Sequence, residues 1–150
     1  MELVDKLVSE FECNPMAVSD TGDTPLHIAA LTDQKEVARE LITRHNCPVD
    51  CRNKKNETPL HIASYNGHLN FVRMLLSEFG ADVNSRDYQN STPLIHAALG
   101  RHSDIMHALF TEFDCSTKLN DLREILRAFV YHPCDRAHME LMNKFVPEFE

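Results

Sequence analysis

Nine histidines and five cysteines are the side chains of this 150-residue chain best suited to acid–base, nucleophilic or metal chemistry. His132, Cys134 and His138 lie close enough together to suggest zinc ligands, but Pro133 turns the chain between them and no second Cys pair completes a set. His27 and His61 recur at 61 − 27 = 34 residues, each inside the string Thr-Pro-Leu-His. A residue that recurs with the scaffold is explained by scaffold geometry before it is explained by catalysis. There is no nucleophile elbow, no phosphate-binding glycine loop and no paired metal spacing, and turns or helix ends account for all four glycines. The chain is therefore not expected to be an enzyme, and neither a cofactor nor a metal is expected. His132, Cys134 and His138 stay as a minor alternative, a metal-binding C-terminus.

The elements that position these side chains are announced by three related stretches. Thr24-Pro25-Leu26-His27-Ile28-Ala29, Thr58-Pro59-Leu60-His61-Ile62-Ala63 and Thr92-Pro93-Leu94-Ile95-His96-Ala97 begin at 58 − 24 = 34 and 92 − 58 = 34 residues apart. A fixed internal period marks a repeat protein. Threonine before proline suits a helix start, because the hydroxyl accepts a backbone N–H and proline gives up only an N–H that has no partner there. Gly22, Asn56 and Asn90, two residues earlier, tolerate the positive φ of a tight turn.

The Thr-Pro-Leu-His-x-Ala core, the turn before it and the period near about 33 residues resemble the ankyrin repeat. The second copy is the fullest, running from Thr58 through Asn66-Gly67-His68-Leu69 and Val72-Arg73-Met74-Leu75-Leu76 to Gly80-Ala81-Asp82-Val83-Asn84. The resemblance implies an all-α solenoid of stacked helix-turn-helix units joined by β-turn or hairpin-like loops. It also implies that His27 and His61 hydrogen-bond within and between loops. The swapped Ile95-His96 puts that role in question for His96.

The chain reads as one domain. Leu3, Val4, Leu7, Val8 and Phe11 match Phe71, Val72, Leu75, Leu76 and Phe79 two periods on, so residues 1–19 form a partial unit opening on its second helix. Full units follow at 20–53, 54–87 and 88–121. In the first, helices are expected over Pro25 to about Leu31 and about Gln34 to Arg44, with Asp33 standing where the next unit has Gly67. Residues 122–150 read as a degenerate cap. Leu122, Ile125, Leu126, Phe129 and Val130 make an apolar face behind Asn120 or Asp121 as N-cap, and Leu141, Met142, Phe145 and Val146 follow on a last helix.

Composition narrows the partner. A net charge of −8 disfavours nucleic acid and anionic membrane surfaces, and no apolar run approaches the roughly 18 residues of a span. Cys13, Cys47 and Cys115 share a repeat position with Ala81, which asks for a small apolar side chain rather than a disulfide. Free thiols, an intracellular, cytoplasmic setting and a monomer are expected.

Function in a repeat scaffold belongs to exposed positions that vary between copies, and the resemblance places these on loop tips and first-helix faces along a concave groove. The candidates for binding a protein partner are Leu31, Arg52, Lys54, Lys55, Tyr65, Asn66, Arg86, Tyr88, Gln89 and Leu99. Tyrosine and arginine dominate binding energy at interfaces, so Arg52, Tyr65, Arg86 and Tyr88 lead. A second possibility makes the chain a substrate: Leu76, Asp82, Val83 and Asn84 resemble the site at which asparaginyl hydroxylases modify ankyrin repeats, with Asn84 as the target.

Overall fold

The computed structural model describes residues 18–113, Cys115, residues 119–130, Arg136 and Glu140. The expectations for residues 1–17, for the last capping helix and for His132, Cys134 and His138 lie outside the described residues. Among the described residues there are seven helices and no strand: α1 (Pro25–Thr32), α2 (Lys35–Thr43), α3 (Pro59–Asn66), α4 (Leu69–Ser77), α5 (Pro93–Leu99), α6 (Ser103–Thr111) and α7 (Leu119–Val130). They alternate as inner first helices α1, α3, α5 and outer second helices α2, α4, α6, as the all-α repeat reading requires.

Each first helix starts where the Thr-Pro pair predicts, with Thr24, Thr58 and Thr92 extended (ψ 167°, 165° and 167°) and proline following. The expected threonine cap forms at two of the three starts, and a second bond is added to it. Thr58 and Thr92 accept the third N–H at 3.5 and 3.4 Å, long for such bonds. The tighter bond runs the other way, since the Thr24 and Thr58 N–H groups donate to Nδ1 of His27 and His61 at 3.1 Å. Histidine thus fills the position that glutamate or glutamine takes in a capping box.

Left-handed residues mark the turns. Gly22, Asn56 and Asn90 have φ of 78°, 62° and 63° at the loop tips, while Asp33, Gly67 and Arg101 have 57°, 83° and 65° between paired helices. Gly100 is not one of them. Its φ is −78°, and glycine is needed because a Cβ there would overlap the carbonyl oxygen of Tyr65 in the preceding unit.

Packing follows the same register. Leu26, Leu60 and Leu94 are fully buried, as are Ala29, Ala63 and Ala97 beneath them and Leu41, Leu75 and Leu109 on the outer helices. Each set is spaced by 34 residues, so the core is one apolar column per position, formed between units rather than inside any one. Cys47, Ala81 and Cys115 fill one such column, and Cys47, Cys51 and Cys115 are free thiols.

The tips form hairpin-like turns closed by Ser19 N–H to Asp23 O (2.9 Å), Asn53 N–H to Glu57 O (3.1 Å) and Asp87 N–H to Ser91 O (3.1 Å). Neighbouring tips are joined by Lys54 N–H to Thr21 O (3.1 Å) and Tyr88 N–H to Lys55 O (3.0 Å). On the outer face Arg39 grips Glu78 with two bonds (3.1 and 2.8 Å), and Arg73 grips Glu112 in the same way (3.1 and 2.6 Å).

The C-terminal boundary departs from the expected cap. α7 begins at Leu119, so Asp121 lies in its first turn. Its carboxylate is buried and receives Arg86.

Candidate partner-binding groove

The inner helices and the tips enclose a groove of about 720 Å³. Its floor is apolar because the first helices turn one side chain outward at each 34-residue step. Leu31, Tyr65 and Leu99 are 49%, 50% and 50% exposed, large apolar surfaces left uncovered in line. One helical turn earlier Ile28, Ile62 and His96 form a parallel row, also lining the groove. The repeat register 28, 62, 96 was the available signal for this second row, which was not among the expected binding residues.

Of the expected residues, Leu31, Lys54, Lys55, Tyr65, Asn66, Gln89 and Leu99 line the groove. Lys54 is tied down, its Nζ donating to Asp20 O at 2.6 Å. Asn66 Nδ2 donates back to Ile62 O at 2.8 Å. Tyr88 is 76% exposed but stands on its tip outside the groove wall.

Arg52 and Arg86 carry scaffold roles that the sequence reading did not give them. Arg52 Nη1 donates to Asn56 O and to Arg86 O, both at 2.9 Å, joining two tips. Arg86 Nη1 donates to Asn90 O at 2.9 Å, and its guanidinium holds the Asp121 carboxylate with two bonds of 3.0 and 2.9 Å. The same register position therefore clamps the second and third tips to the next element, and these guanidiniums are engaged within the fold.

The histidines behind the groove are staples. His27 Nε2–H donates to Glu57 O at 2.9 Å and His61 Nε2–H to Ser91 O at 3.0 Å, each reaching the next tip. With Nδ1 accepting a backbone N–H, both ring nitrogens are engaged, which fixes the tautomer. Burial pushes the His27 pKa down, and the bond to Glu57 only partly counters it. Burial, with the neighbouring His96 ring adding to it, pushes His61 from 6.5 down to about 4. Both rings are neutral near pH 7, with no lone pair left to act as a base. On the outer side His68 and His102 form a second set, to Leu31 O at 3.1 Å and Tyr65 O at 3.0 Å.

His96 does something different. The swap that puts Ile95 into the core sends its imidazole toward the groove, where Nε2 meets Asp87 Oδ2 at 2.8 Å and the ring stands edge-on to His61 at 4.9 Å. Asp87 is buried, which by itself raises a carboxyl pKa, but the bonds from His96 and the Ser91 N–H outweigh this and hold it below the usual value. Asn84 is exposed in the turn after α4, its N–H donating to Asp82 Oδ1 at 3.0 Å.

No curated protein matches the chain in a sequence search. A family model described as ankyrin repeats, in three copies, matches residues 1–87 and 45–121. With the 34-residue core columns, the His-capped Thr-Pro helix starts and the stapled tips, that match places the chain in the ankyrin-repeat family.

Proposed function

We propose that the chain is a non-catalytic recognition module whose groove holds a segment of a protein partner. The observation that supports this reading is the row Leu31, Tyr65, Leu99, aromatic and aliphatic surface held uncovered at regular intervals on a rigid wall. Such side chains lose their hydration on contact and have little conformational freedom to lose. Ile28 and Ile62 widen the apolar strip, and Lys55, Asn66 and Gln89 supply polar contacts along it. The buried thiols Cys47, Cys51 and Cys115 support placing the protein in a reducing, intracellular compartment.

The test is site-specific photo-crosslinking from position 65, followed by affinity measurement on the captured partner. Tyr65→Ala and Leu99→Ala should each weaken binding by about 30-fold, the size typical of interface anchors of about 2 kcal/mol. Arg39→Ala and Arg73→Ala on the outer face should leave it unchanged. A partner that responds to the outer pair and ignores Tyr65 and Leu99 would overturn the groove reading.

A further inference from the structure

Two departures from the repeat meet in space. Position 53 carries Asn and position 87 Asp; positions 28 and 62 carry Ile and position 96 His. At the second tip Asn53 Nδ2 donates to both Asp23 Oδ1 (2.9 Å) and Glu57 Oε2 (3.0 Å), so an amide N–H separates two carboxylates. At the third tip the amide is replaced by a carboxylate, and Asp87 comes close to Glu57 with no side-chain N–H to offer. The only donor brought to that gap by the sequence change is His96.

One ligand atom from each of Glu57, Asp87 and His96 lies within 4.8 Å of the other two. Ligands around a tetrahedral ion with bonds of about 2.0–2.1 Å sit roughly 3.3 Å apart, so the widest gap must close by no more than about 1.5 Å, within reach of one Glu57 rotamer change. The other Asp87 oxygen is pinned by the N–H groups of Gln89 and Ser91 at 2.9 Å, which orients the carboxylate as outer-sphere bonds do around metals. His61 packs against the His96 ring but spends both nitrogens elsewhere, so it positions and does not coordinate. Glu57 and His96 line the groove, which gives an ion a way in and leaves coordination positions open.

We propose that Glu57, Asp87 and His96 form a binding site for a divalent transition ion of the zinc class at the floor of the groove. One imidazole with two carboxylates favours zinc and its neighbours over magnesium or calcium, which take oxygen-only sets. Binding puts the metal on the Nε2 lone pair of His96, so the ring proton that bridges to Asp87 moves to Nδ1 by exchange with solvent and the coordinated imidazole is neutral.

The test is titration of zinc chloride into reduced, metal-free protein by calorimetry, with the histidine ring signals followed by NMR. Wild type should take up one ion with the His96 signals shifting and those of His27 unmoved. The Asp87→Asn/His96→Ile double variant carries the residues of positions 53 and 62 and should bind at least about 10-fold more weakly. Glu57→Gln, which keeps the His96–Asp87 bond, should also weaken binding by about 10-fold, whereas Cys134→Ser should have no effect. Zinc affinity unchanged in Glu57→Gln, loss of binding in Cys134→Ser, or no binding at millimolar zinc would each overturn the site.

Discussion

Arg86 holds Asp121 through a bidentate pair at 3.0 and 2.9 Å, the carboxylate side chain being only 3% exposed and the guanidinium 22%. This pair fastens the third tip to α7 across 35 residues. Removing the arginine takes the guanidinium from a buried carboxylate, which costs more than the intact pair contributes. Arg86→Ala should therefore lower stability by about 3 kcal/mol in urea denaturation, and Asp121→Asn in the same background should restore part of it. Arg86→Ala with an unchanged midpoint would remove the clamp from the account.

Acid should weaken the fold before its carboxylates titrate. His61 is held near 4 in the folded chain against 6.5 unfolded, so the unfolded state binds more protons between those values and stability falls as pH drops through that window. The shift corresponds to about 3 kcal/mol for His61 when complete, and His27, also depressed, acts in the same direction. Asp23 and Asp87, whose pKa values are lowered, add their loss only as pH falls below the ordinary carboxyl value of 3.8. Urea midpoints at pH 7.0, 5.5 and 4.5, all roughly chosen to bracket the histidine range, should decline stepwise. A flat series would show that His61 is protonated at little cost.

Gly100→Ala separates space from conformation. The backbone there is already right-handed, where alanine is the better helix residue. A Cβ would nonetheless meet the Tyr65 carbonyl oxygen and the His102 ring, disturbing the bond between those two residues. A loss of about 1–3 kcal/mol is expected, the usual size of overpacking. Stabilisation by alanine would mean that the units separate more readily than the staple suggests.

Thiol chemistry should report the core. Burial raises the pKa of Cys47 and of Cys51, and the Cys51 thiol also lies 3.2 Å from Thr24 Oγ1. Neither should react at an appreciable rate with a thiol reagent in the native protein at pH 7, because the thiolate is the reactive form. Unfolding without reductant should expose both, and a mass shift of a disulfide between them would contradict the free-thiol assignment.

The parts of this molecule that could be read from the sequence are those that repeat. Helix starts at Pro25, Pro59 and Pro93, left-handed tips at Gly22, Asn56 and Asn90, and buried columns such as Leu26, Leu60, Leu94 all follow from one local string copied three times. The exposed row Leu31, Tyr65, Leu99 was legible for the same reason. What could not be read depends on where different units meet. Arg86 looked like an uncommitted interface residue because its partner, Asp121, enters a helix that starts out of register at Leu119. The approach of Glu57, Asp87 and His96 joins three positions of unlike spacing, and only the stacking of the second and third units brings them together.

The bonds between units obey constant offsets. His27 and His61 reach carbonyls 30 residues ahead, Arg39 and Arg73 reach carboxylates 39 ahead, and His68 and His102 reach carbonyls 37 behind. Among the described residues the two junctions between full units therefore use the same plug and socket, and residues 54–87 carry one complete set of each. A tandem copy of that segment would find its donors and acceptors already waiting on both sides, so the scaffold can lengthen by gene duplication without inventing a contact. The third unit, with Ile95 where the staple would be, lacks that plug for whatever follows it.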